Sequence, residues 1–257
     1  VSLPETGWDT DGFAATLAQT APRLAYLMPD FHNPTGRCMD AATRQTITDI
    51  AAQTRTTLVV DETMVDLWFD APPPPPLAAF NPEATVMTLG SAGKSFWGGL
   101  RLGWIRASSR TIATLAQTRD TLDLGSPVLE QLATLWLIEN SETFLPARRE
   151  MLAERRDRCG QMLREHFPEW RFQEAEGGLS YWIELPGMLA TQLAARAETT
   201  GIIMGTGTRF GLSGAFDRYL RMPFSLNSPE LEEALLRIKP LWLALNKSTP
   251  PVKRSLV

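Results

Sequence analysis

The chain has 257 residues, of which 44% are hydrophobic and 21% charged, with a net charge of −4. A globular chain of this length buries about 70–75% of its unfolded surface and needs neither disulfide nor metal to fold. The negative balance excludes a global positive field for nucleic acid or anionic lipid, so DNA contact must come from a segment outside this chain. Cys38 and Cys159 have no CxxC spacing and suit a reducing cytoplasm as inert thiols. His32 and His166 lie too far apart for a zinc constellation of the usual spacing, and no metal is expected. No apolar run nears the roughly 18–20 residues that span a bilayer, so no membrane association is expected and the setting is read as cytoplasmic.

In chain order, strand-like and helix-like segments alternate, the pattern of an α/β sheet protein. Arg23–Met28 is an apolar strand ending at Pro29-Asp30. After the turn Asn33-Pro34-Thr35-Gly36, Asp40 is a good N-cap for a helix with Ile47, Ile50 and Ala51 at helical spacing. Thr57–Val60 is a short β-branched strand ending at Asp61-Glu62, and the prolines 72–76 form an extended surface loop. Ala84–Leu89 and Leu102–Ile105 are the next strands, separated by the Gly- and Ser-rich loop Gly90–Leu100. Ser126-Pro127 opens a helix by the N-cap and N1-proline rule, and a second helix runs from about Glu142 to His166. Trp170–Gln173, Gly178–Leu185, Gly201–Met204 and Tyr219–Met222 read as strands, with a helix between about Met188 and Thr200. The last helix runs from Ser228-Pro229 to about Leu245. The tryptophans read as core or interface anchors, and the charge run Arg148–Arg158 as a solvated helix face.

Five segments carry a resemblance. Pro29-Asp30-Phe31-His32-Asn33-Pro34-Thr35-Gly36, Val60-Asp61-Glu62, Ser91-Ala92-Gly93-Lys94, Gly99-Leu100-Arg101-Leu102-Gly103-Trp104 and Tyr219-Leu220-Arg221-Met222-Pro223-Phe224-Ser225 follow one another in order. Asn33, Asp61, Lys94 and Arg101 stand 28, 33 and 7 residues apart (33 to 61, 61 to 94, 94 to 101). Together these segments resemble the signatures of fold-type I pyridoxal 5′-phosphate (PLP) proteins of the aspartate-aminotransferase type. The resemblance implies that Lys94 forms the Schiff base and moves protons, work that needs a lysine of lowered pKa. It implies that Asp61 keeps the pyridine nitrogen protonated, that Ser91 and Arg101 bind the phosphate, and that Asn33 donates to the phenolic oxygen. Arg221 matches the arginine that clamps a substrate carboxylate bidentately, a geometry lysine cannot copy.

Two details refine the resemblance. Where many aminotransferases carry a tyrosine three residues after the aspartate, this chain has Met64, which cannot donate a hydrogen bond. The stretches Asp61-Glu62-Thr63 and Gly90–Arg101 look most like MocR-type regulators, which fuse a GntR-type winged helix-turn-helix to an aminotransferase-like domain.

The expected architecture is therefore α/β, a PLP-dependent transferase fold of type I. Residues 1–140 would be the C-terminal part of the large PLP-binding domain, with a mostly parallel sheet, and 141–257 a small C-terminal α/β domain. Val1–Gly12 is expected to follow directly on an absent strand. The glycine-rich helix start, the stacking aromatic and the DNA-binding module are expected upstream. Three functions are compatible with this reading. The first is an effector-sensing domain responding to an amino acid or amine, within a homodimer that touches DNA only through an N-terminal domain. The others are a free-standing class I/II aminotransferase and a scaffold that has lost tight cofactor binding.

Because Ser91 and Arg101 are then the remaining phosphate anchors, the 257-residue chain should bind PLP several orders of magnitude more weakly than the full-length protein. Each lost charge-assisted bond costs roughly 1.5–3 kcal/mol. A PLP titration of both proteins followed by absorbance checks this; micromolar or tighter binding by the shorter chain would overturn it.

Overall fold

In the computed structural model, residues 4, 7–211 and 214–247 are described. Of residues 1–12, on which the first expectation falls, positions 1–3, 5 and 6 lie outside that set. The described residues form two compact units, those within 4–32, 37–149 and 176–178 in the first, and those within 33–36, 150–175 and 179–247 in the second.

The first unit begins with a helix that sequence periodicity did not reveal, α1 (Thr10–Thr20). Asp9 caps it by accepting from the Gly12 N–H at 2.8 Å, and Phe13 and Leu17, one turn apart, are buried. Strand β1 (Leu24–Leu27) leads to α2 (Ala41–Thr54), which Asp40 caps as expected through the Thr43 N–H at 2.7 Å. Strand β2 (Thr57–Asp61), strand β3 (Val86–Ser91), the single helical turn α3 (Ala92–Ser95) and strand β4 (Gly103–Arg106) follow. The sheet order is β1-β2-β3-β4, with the first three strands parallel and β4 antiparallel to β3. Phe13 and Leu17 of α1, Met39 just before α2, Ile47 and Ala51 of α2, and Leu58 and Val60 of β2 form one apolar cluster with Leu77.

Beyond the sheet come α4 (Ser109–Arg119), also unforeseen, and α5 (Val128–Glu139). The latter starts one residue later than the capping rule implies. Pro127 is the N-cap and makes no side-chain cap bond, and the Ser126 hydroxyl instead accepts from Arg119 at 3.0 Å. Leu129, Leu132 and Trp136 of α5 are exposed. Helix α6 (Ser141–His166) contributes residues to both units.

The second unit is a three-stranded antiparallel sheet of order β5-β7-β6, where β5 is Ser180–Glu184, β6 is Gly205–Thr206 and β7 is Tyr219–Pro223. Between β5 and β6 runs α7 (Ala190–Glu198), and α8 (Ser228–Lys247) closes the described chain. Strand alternation buries Tyr181, Ile183, Leu220 and Met222, and α8 buries Leu231, Leu235, Ile238 and Trp242 at helical spacing. Two expected strands are corrected. Trp170–Gln173 makes only an isolated bridge, Arg171 to Glu184, and Trp170 at its start is buried and stacked on Phe167 at 4.0 Å. Gly201–Met204 is loop; pairing begins at Gly205, where a Cβ would stand 3.1 Å from the Arg221 carbonyl oxygen.

A buried ion pair organises the first unit. Arg44 and Asp30 are fully buried and bonded to each other. Arg44 also donates to the carbonyls of Met39 at 2.9 Å and Pro75 at 3.1 Å, and Glu62 accepts from the Leu77 N–H at 3.2 Å. Burial raises the carboxyls of both Asp30 and Glu62 above their ordinary range, against the pull of Arg44. Breaking such a pair leaves an uncompensated buried charge, so Arg44→Leu should cost about 3–5 kcal/mol. Urea unfolding monitored by tryptophan fluorescence measures this, and the double variant Asp30→Leu/Arg44→Leu should recover part of the loss. A cost under about 1 kcal/mol for the single change would show that the pair is dispensable.

Candidate functional site

Four expected residues, Asp61, Ser91, Lys94 and Arg101, belong to the first unit, and Asn33 and Arg221 to the second. Strand β3 ends at Ser91, whose Oγ accepts from the Gly93 N–H at 3.2 Å and so starts the turn α3 that carries Lys94. Accepting through a lone pair leaves the Ser91 O–H able to donate to an anion. Lys94 is exposed, and its carbonyl accepts from Arg148 at 3.1 Å. Arg101 follows a 3₁₀ turn, residues 98–100, and adopts the left-handed conformation with φ 52°. That conformation is costly for a residue with a Cβ and is stored where the surroundings impose it.

Ser91, Lys94 and Arg101 line one cavity of about 270 Å³ with Gly90, Gly93, Gly98, Leu102 and Gly103. The glycines let backbones approach. A Cβ on Gly103 would lie 2.7 Å from the Gly90 carbonyl oxygen, and one on Gly90 would overlap the Trp104 ring. Hydroxyl, guanidinium and ammonium donors around a small cavity suit a phosphate-bearing ligand.

Asp61 is not among the lining residues. It ends β2 and pairs with Leu89 of β3, two residues before Ser91, at the carboxyl end of the parallel strands where α/β sheets bind ligands. Its Oδ1 accepts from the Thr63 N–H at 3.0 Å, and its Oδ2 accepts from the Tyr26 hydroxyl. The sequence reading passed over Tyr26 as part of an apolar strand. The signal available was alternation, since Leu24 and Tyr26 face opposite to Ala25 and Leu27. Met64 is buried and presents no donor.

In the second unit, Arg221 sits on β7 opposite Trp182 of β5 and donates from a terminal guanidinium nitrogen to the Asn33 Oδ1 at 3.2 Å. Its guanidinium lies 5.7 Å from the Phe210 ring centroid. Its Nε is buried and has no hydrogen-bond partner among the described residues. An unpaired buried guanidinium donor is costly unless an acceptor arrives, so this atom is suited to meet a carboxylate. The cysteines stand apart from this chemistry: burial pushes the Cys159 thiol up to about 12 and raises that of Cys38 as well.

The sequence profile of the family "Aminotransferase class I and II" matches residues 5–238. The chain belongs to the aminotransferase class I and II family. Among curated relatives, the uncharacterized HTH-type transcriptional regulator YisV of Bacillus subtilis is 33% identical over 185 residues, covering 68% of this chain and 38% of the regulator. The 2-aminoadipate transaminase of Thermus thermophilus is 28% identical over 245 residues, covering 93% of this chain and 62% of that enzyme. Among solved structures, the α-aminoadipate aminotransferase LysN of Thermus thermophilus superposes with a TM-score of 0.90 at 27% identity, covering 97% of this chain and 66% of that one. LysN was solved in complex with N-(5′-phosphopyridoxyl)-L-leucine. Further relatives of this aminotransferase-family chain are named HTH-type regulators. The α/β fold is that of the type I PLP-dependent transferases, and PLP is the cofactor that goes with it.

Proposed function

We propose that the chain is the PLP-binding, effector-sensing part of a MocR/GntR-type transcriptional regulator. The observation that carries this reading is one cavity lined by Ser91, Lys94 and Arg101, in a chain with several relatives named as HTH-type regulators. When bound, PLP supplies an aldehyde that condenses with amines and a pyridine ring that withdraws electrons. On this reading Lys94 would supply the amine that tethers the cofactor. The Ser91 hydroxyl and the Arg101 guanidinium would donate to the phosphate, and Asp61 would accept a hydrogen bond from the protonated ring nitrogen. Asn33 accepts through its Oδ1 from Arg221, and on this reading it would also donate to the phenolic oxygen. Arg221 offers its buried Nε to the carboxylate of an amino-acid effector.

The partner arrangement we propose is a cytoplasmic homodimer. Its support is the exposure of Leu129, Leu132 and Trp136 along α5, an apolar face that water alone covers poorly. DNA contact falls to an N-terminal winged helix outside this chain. No helix among the described residues is long and apolar enough to cross a membrane.

A second reading, a transaminase, is favoured by the likeness to the 2-aminoadipate transaminase and by the same residue set. The two separate in one experiment on the full-length protein with PLP and amino acids. Altered affinity for its own promoter DNA without oxo-acid release supports sensing, and stoichiometric oxo-acid release supports transamination.

Two variants test the residue roles. Borohydride treatment of the PLP-loaded full-length protein should fix a covalent mass increment on the peptide containing Lys94. The increment should vanish in Lys94→Ala, and its survival there would refute the role. Arg221→Ala should weaken amino-acid effectors by about 2–5 kcal/mol, the usual cost of truncating one partner of a buried charged contact, while simple amines are little affected. Equal losses for both classes would show that Arg221 is structural.

A further inference from the structure

We infer that Tyr26 is a positioning residue for Asp61, holding one oxygen of its carboxylate so that the remaining lone pairs are presented to the pyridine nitrogen of the cofactor. The inference rests on the role proposed above for Asp61.

Tyr26 lies opposite Val59 in the parallel β1–β2 pair, and Asp61 is two residues beyond Val59 on the same face of β2. Diagonal neighbours of this kind are within reach of a tyrosine side chain. The phenol donates to Oδ2 of Asp61 while the Thr63 N–H donates to Oδ1 at 3.0 Å. Each carboxylate oxygen then has one bond and a spare lone pair, and the plane of the group is fixed by two donors from different segments. Partial burial first, and then the bond to and charge of Asp61, raise the Tyr26 phenol above its ordinary pKa. The proton therefore stays on Tyr26, which makes it the donor to Asp61. That polarity matches a carboxylate that must remain charged opposite a protonated ring nitrogen.

Two further observations set Tyr26 apart from a packing residue. It is 56% exposed, so core filling does not account for its presence on β1. The loop after Asp61 supplies only a backbone donor, because Met64, where a tyrosine stands in many aminotransferases, is turned into the core.

The test is Tyr26→Phe in the full-length protein, a change that removes one oxygen from an exposed side chain. Binding of PLP should weaken roughly 3- to 10-fold, the range for losing one hydrogen bond. Binding of a PLP analogue with carbon in place of the ring nitrogen should be unchanged, because it makes no bond to Asp61. Equal weakening for both ligands, or none for either, would overturn the inference. If the wild-type protein does not prefer PLP over that analogue, the underlying role of Asp61 has failed instead. A measurement without cofactor then still decides the contact. Ultraviolet titration of the 257-residue chain, using Tyr26→Phe to isolate one of its three tyrosines, should show Tyr26 ionising at lower pH in Asp61→Asn than in wild type. An unmoved midpoint would show that the two side chains do not interact.

Discussion

Arg44 is the constraint around which the ligand-facing end of the first unit is arranged. From α2 its guanidinium and Nε reach Asp30 after β1, the Met39 carbonyl before α2 and the Pro75 carbonyl in the proline loop. Five donors fixed in one plane hold three chain segments at once in a set geometry, which the compact, rotating ammonium of a lysine does not impose. The cost is desolvation, visible in the raised titration of Asp30 and in its Oδ2, which has no partner among the described residues. The benefit is positional. The segment leaving β1 and the loop entering Leu77 are both fastened near the carboxyl ends of the parallel strands, beside the backbone that carries Asp61.

Downstream of that anchor the polar groups divide by role. The strand ends carry acids, Asp61 and Glu62, while the β3–β4 region carries donors, Ser91, Lys94 and Arg101. Glu62 points inward, capped by the Leu77 N–H, and is spent on structure. Asp61 faces the other side of the strand, and its donors come from Thr63 and Tyr26. Alternation along one short strand thus gives two adjacent carboxyls different environments, one buried with a raised pKa and one partly exposed and bonded by two donors.

Much of this was legible in the sequence where local chemistry decides it. The Asp40 cap, the β-branched run before Asp61 and the glycine spacing around Lys94 each act within a few residues, and the structure has them as read. What escaped depends on distant partners. Helix α1 has only two buried residues, Phe13 and Leu17, so its periodic signal is slight until the sheet beneath it is known. Helix α4 has no buried residue, and its apolar Ile112 and Leu115 are exposed, so no packed face marks it. Trp170–Gln173 has strand-like composition, but its one bridge partner, Glu184, is distant in sequence. Tyr26 escaped for the same reason, since its partner is 35 residues away and only the register of β1 on β2 joins them.

Met64 shows how the same residue can carry different weight once its direction is known. Read from sequence, a methionine in place of a tyrosine is the loss of one donor to the phenolic oxygen of a cofactor. In the structure it is also a gain of core, because the side chain is buried and its polarizable thioether fills apolar space that a hydroxyl would occupy only with a partner. Restoring a tyrosine there would bury an unpaired hydroxyl or turn the side chain out of the core. The absence of that donor is therefore built into the packing of the first unit. A cofactor held by the first unit would rely more heavily on its other polar groups there, among them the Asp61 carboxylate, which accepts from Tyr26 and Thr63.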